Sequence, residues 1–146
     1  MYSILKHAHS GLRWVVLILL VAAIVNAAMN FSGKNGYQEK DRKLALFALI
    51  FTHVQLILGL ILYFISPKVQ FVAEMMKNSV LRFYGVEHIF MMIIAVVLVT
   101  IGYSRAKKKE EAVSKFKTNF WFYLVALLLI LAAIPWPFRD LGGSWF

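Results

Sequence analysis

A carboxylate and an imidazole, Glu87 and His88, stand next to each other near the start of a run, 81–103, that is otherwise almost wholly apolar. Ionisable side chains inside a membrane-spanning segment are costly and mark functional sites by default. The chain has four histidines and no cysteine, so any metal chemistry rests on imidazole. The absence of cysteine excludes disulfides, thiolate metal sites, iron–sulfur clusters and covalent c-type haem attachment. The other three imidazoles are His7, His9 and His53. His9 is followed four residues later by Arg13, which puts the two on one face of a helix. The pairings open to His88 therefore depend on which helices carry these residues and at what depth.

The elements come from composition. Of 146 residues, 61% are hydrophobic and 16% charged, against about 45–50% and about 25% in soluble domains. The apolar excess falls in four blocks, each near the roughly 20 residues that cross a bilayer. The predicted helices cover about 10–30, 42–65, 81–104 and 117–134. Ser10 serves as the expected N-cap of the first, Ser66-Pro67 ends the second, and Pro135-Trp136-Pro137 ends the fourth. The first apolar run lacks a small-x-small cleavage pattern and reads as a helix rather than a removed signal. Short connections make sequential helices antiparallel neighbours, so the expected fold is all-α, an integral membrane up-down four-helix bundle forming one domain.

The formal charge of +9 lies between the apolar blocks, which points to membrane orientation and anionic lipid rather than nucleic acid. Lys and Arg concentrate in the first and third connections (Lys34, Lys40, Arg42 and Lys43; Arg105 and Lys107 to Lys117). This asymmetry places those connections in the cytoplasm and both termini outside, in the periplasm of a bacterial inner membrane. Trp14, Tyr84, Trp136 and Trp145 then belong to an outer aromatic belt, and Tyr103 and Trp121 to an inner one. The second connection, 68–80, reads equally well as an amphipathic surface turn or an irregular loop.

Depth separates the histidines. Counting from the cytoplasmic helix ends at about 1.5 Å per residue, His88 lies about 26 Å up, His9 about 32 Å and His53 about 15 Å. Two imidazoles on opposite sides of one metal have nitrogens roughly 4 Å apart, so His9 and His88 are the matched pair. His7 and His53 are the substitutes. Arg13 and Arg82 suit the carboxylates of a bound group, while Glu87 suits a pairing with Arg13 or a hydrogen bond to a ligand histidine. Plainer roles stand beside these: His9 as an interfacial histidine, His88 as a structural hydrogen-bonding partner, His53 with Thr52 and Gln55 as polar glue between helices. Met91-Met92 reads as core packing.

The strings HAHSGLRW (7–14), HVQLILGLILYF (53–64), VEHIFMM (86–92) and IPWPF (134–138) resemble short bacterial four-helix membrane proteins described as cytochrome B, over most of the chain. A fainter resemblance is to one half of haem A synthase, carried by His9 with Arg13, by Gln55 to Gly59 and by His88. The Glu-x-x-His-Arg motif of that enzyme is absent, since no carboxylate lies between Tyr2 and His9 and Ser10 follows His9. The resemblance implies haem b held by His9 and His88, and one-electron transfer, with quinol or a larger redox complex as partner. The other expectations are a non-redox membrane subunit or assembly factor, and a Zn or Cu site built from His7, His9, Glu87 and His88.

Overall fold

The protein, described over residues 1–146 in a computed structural model, is all-helical. Four helices are long and apolar enough to cross a membrane: α1 (Tyr2–Met29), α2 (Glu39–Ile65), α3 (Ser79–Lys108) and α4 (Ala112–Ala133). A single 3-10 turn, Pro137–Arg139, follows the last of them. Each helix packs on the next in sequence, and α1 also packs on α4, so the four close into a ring.

The helix ends depart from the expected bounds in an instructive way. α1 begins at Tyr2 rather than Ser10. No proline precedes Ser10, so its capping tendency loses to continued backbone hydrogen bonding. α2 starts three residues early because Asp41 reaches back, its Oδ2 accepting the Gln38 N–H at 2.8 Å. Its Oδ1 accepts from Asn26 Nδ2 at 2.9 Å, which ties the end of α1 to the start of α2. α3 starts at Ser79, where the Asn78 side chain caps Val80 and Leu81. It runs on to Lys108 rather than Ser104, and α4 starts at Ala112 rather than Lys117. Lys and Arg are good helix formers, so the basic stretch extends the helices instead of interrupting them. Of the connection read as 68–80, residues 68–78 are an irregular series of turns, and Ser79 and Val80 already belong to α3.

The core draws on all four helices. Leu20 of α1, Ala48 of α2, Val99 of α3 and Tyr123 with Ala126 of α4 have no exposed surface. Alanine at the contact points lets the backbones approach. The Tyr123 hydroxyl donates to the Ala45 carbonyl at 2.7 Å, joining α4 to α2. Gly102 does the same work between α3 and α4, because a Cβ there would meet the Phe122 Cβ.

The outer faces are apolar too. Ile18, Val21 and Val25 on α1, Ile50, Val54, Ile57 and Ile61 on α2, and Phe90, Ile93, Val97 and Ile101 on α3 are all well exposed. Their three- and four-residue spacing gives these helices apolar outer faces, compatible with contact with membrane lipid.

Candidate functional site

One residue or more from each helix converges on a cavity of about 170 Å³. α1 contributes His9 and Arg13, α2 contributes Gln55 and Gly59, and α3 contributes His88. α4 contributes Ile130.

His9 and His88 lie with ring centres 6.4 Å apart and planes at 76°. Opposed ligands of one metal at about 2 Å per bond place their ring centres roughly 6 Å apart. His88 Nδ1 lies 2.7 Å from the Ala133 oxygen. A carbonyl can only accept, so Nδ1 carries the proton and Nε2 keeps its lone pair. Metal-binding histidines usually show this arrangement, donating the far N–H to a carbonyl and ligating through the near nitrogen. The Ala133 carbonyl is available because helix ends leave their last carbonyls without intrahelical partners.

The His9 ring makes no hydrogen bond, and its Nδ1 is buried without a partner. A buried polar atom left so costs on the order of 1–3 kcal/mol. Two features hold the residue in place. Gln55 Nε2 donates to the His9 carbonyl at 2.8 Å. Gly59 backs the ring so closely that a Cβ would stand 3.1 Å from His9 Cε1, so this position of α2 is flat because it is glycine.

His88 directly follows a widened, π-helical turn, Phe83–Glu87. Such turns insert one residue into an α-helix and are frequent at functional sites. The buried Phe83 ring packs 5.7 Å from the His88 ring, and the Gly85 carbonyl accepts from the Tyr63 hydroxyl at 2.8 Å.

Arg13 is 8% exposed despite its charge. Its Nη2 donates to the carbonyls of Ser144 at 3.2 Å and Trp145 at 2.7 Å. Its guanidinium lies 5.4 Å from the Trp14 ring and 5.6 Å from the Trp136 ring. The Trp14 indole also donates to Trp145 O at 3.0 Å. On the other side, Lys68 Nζ donates to Gly142 O at 2.6 Å. The segment Gly142–Trp145 is thereby strapped over the cavity, and Gly143 is required there because a Cβ would collide with the Pro135 carbonyl. Burial and the neighbouring Lys6 hold the Lys68 ammonium below the usual lysine range. Nothing in the residue pattern of 140–146 singled this segment out.

The remaining candidates lie elsewhere. Arg82 Nε pairs with Glu87 Oε1 at 2.7 Å and Arg82 Nη1 donates to Met76 O at 3.0 Å. Neither Arg82 nor Glu87 lines the cavity, so Glu87 meets neither Arg13 nor an imidazole in a hydrogen bond. His7 is exposed on another face of α1, as two helical residues about 200° apart must be. His53 bonds Leu49 O at 2.8 Å and approaches Thr100 Oγ1 at 3.4 Å, a link between α2 and α3. No group of three or more His, Asp or Glu side chains comes together in metal-binding geometry.

Comparison with family models, with curated proteins and with solved structures found no match to this chain. The site must be read from its own chemistry.

Proposed function

We propose that this chain is an up-down four-helix bundle of the bacterial inner membrane, both termini periplasmic, that binds b-type haem through His9 and His88. The observation that carries the reading is the 6.4 Å separation of two rings on one cavity, one ring without a partner and the other fixed to present Nε2. Apolar outer helix faces and the Lys and Arg excess in two connections support the membrane placement. The resemblance to cytochrome B-type proteins points the same way.

When bound, haem supplies a one-electron couple whose potential depends on axial ligands, burial and nearby charge. This chain's share is to present two imidazole nitrogens, to exclude water with Leu56, Leu60 and Val96, and to place one buried cation, Arg13, beside the pocket. Arg13 Nε is buried without a partner and is free to donate to an incoming carboxylate. Entry of a flat macrocycle requires the pocket to widen beyond its present volume, and the strap Gly142–Trp145 is the wall held by side chains rather than by helix. Electrons would pass between a membrane donor such as quinol and another redox protein. A Zn or Cu site is less well supported, since it needs a third donor that neither Glu87 nor His7 supplies.

The test is an oxidised-minus-reduced visible spectrum of the full chain, purified from haem-supplemented cells, with iron, zinc and copper assayed in the same sample. A Soret band that disappears in His9→Ala and in His88→Ala is expected. No Soret absorbance, or spectra unchanged in both variants, would overturn the reading and leave a non-redox membrane subunit as the better description.

A further inference from the structure

A second cavity, about 200 Å³ in volume, lies at the opposite end of the bundle from the histidine pair, between the start of α2, the end of α3 and the start of α4. Its wall is made of Tyr37, Glu39, Arg42, Tyr103, Lys107 and Lys115. Three cations face one carboxylate, and that carboxylate is already occupied. Arg42 Nε donates to Glu39 Oε2 at 2.9 Å and its Nη2 to the other oxygen.

The hydroxyls here are arranged as donors. Tyr37 accepts from Asn119 Nδ2 at 2.9 Å, and Tyr103 accepts from Arg42 Nη1 at 3.2 Å. Each phenol has thus used an acceptor position and keeps its proton to give. Burial raises Tyr37 above the usual phenol range, which keeps that proton in place. Lys115 Nζ donates to the carbonyls of Ala106 at 3.1 Å and Lys107 at 3.3 Å, leaving one of its three N–H groups free. The Lys107 ammonium has no partner. A cavity edged by free N–H and O–H donors and surplus positive charge lacks an anion with several acceptor oxygens.

We propose that this cavity binds a phosphate group, the terminal phosphate of an anionic lipid being the source best suited to its position. The site sits where the apolar windows of α2, α3 and α4 give out, the level of lipid headgroups if the four helices span a bilayer. Basic pockets between helices on the cytoplasmic side are where anionic headgroups bind. The inference rests on the membrane placement and is independent of haem.

The experiment uses the full chain in nonionic detergent, titrated with short-chain phosphatidic acid, short-chain phosphatidylcholine and inorganic phosphate, with retained adducts read by native mass spectrometry. Phosphatidic acid is expected to be retained over phosphatidylcholine. Lys107→Gln and Tyr103→Phe should each weaken it about five- to tenfold, the loss of one charge-assisted donor. Lys40→Gln, which removes an exposed cation outside the cavity, should leave it unchanged. Lys107 is exposed, so its substitution leaves the packing intact. Competition by inorganic phosphate at equal affinity would support the same site with a soluble phosphate as its source. Equal retention of the two lipids with no phosphate bound, or an equal loss in Lys40→Gln, overturns the proposal. Because the readout does not involve the histidine cavity, failure here leaves the haem test untouched.

Discussion

Replacing Arg13 by methionine keeps most of the side-chain volume and removes one of the three side chains that hold the strap, leaving the donors of Trp14 and Lys68. Two hydrogen bonds from a charged donor are lost, each worth about 1.5–3 kcal/mol. The freed Ser144 carbonyl can turn to water and the Trp145 carbonyl keeps the Trp14 indole as a donor, which offsets much of that. Two contacts with indole faces are lost as well, at about 0.5–1 kcal/mol each. These terms share atoms and do not add fully, so a net loss of about 2–3 kcal/mol in docking of residues 142–145 is expected. At 1.4 kcal/mol per factor of ten, the strap should open roughly 30- to 150-fold more often. Hydrogen exchange across 140–146 and acrylamide quenching of Trp145 both report this, with the helices as an internal reference. Arg13→Lys should fall between, because a point ammonium cannot span two carbonyls and two indoles as a planar guanidinium does. Exchange and quenching in Arg13→Met identical to the wild type would refute the assignment of Arg13 as an anchor.

Three other outcomes are expected. His53→Ala should leave any haem spectrum intact while lowering thermal stability in detergent by about 1 kcal/mol, the usual worth of a net hydrogen bond; loss of the spectrum would reassign the ligand. Gly102→Val should overpack the α3–α4 contact against Phe122 and cost about 1–3 kcal/mol, seen as a lower unfolding temperature, whereas Gly11→Val, with nothing within 4 Å of its added Cβ, should cost less. Tyr37 holds its proton more tightly folded than unfolded, so its contribution to stability is complete below about pH 10 and is lost as pH rises through the higher folded value. Tyr37→Phe should therefore flatten the alkaline fall in stability, and an unchanged slope would show that Tyr37 ionises as freely in the fold as out of it.

Which helices form, and that His9 faces His88, could be read from apolar runs and residue counts, because rise per residue turns sequence distance into depth. The pairing of Glu87 could not. On regular turns Arg82 and Glu87, five residues apart, would lie about 140° apart, but the widened turn between them brings the two onto one side and gives the carboxylate to Arg82. α1 begins at Tyr2 and not at Ser10, because no helix breaker lies before that serine to make it a cap. The strap was invisible for another reason: its hold depends on backbone carbonyls of residues 142–145, which carry no side-chain signature. The phosphate-sized cavity likewise arises from three helix ends meeting, whereas its lysines, read along the chain, look like a solvated orientation signal.

The widened turn at Phe83–Glu87 has a consequence for sequence change. It stores one surplus residue in the backbone, so excising a residue there returns α3 to regular winding. Everything upstream, from Asn78 to Tyr84, would then swing by about 100°. Downstream, His88 would stay docked on Ala133. Length variation at this point is therefore a dial that re-aims the outer segment while leaving the imidazole where it is. Relatives of this architecture are expected to differ by single-residue insertions or deletions there sooner than anywhere else along α3.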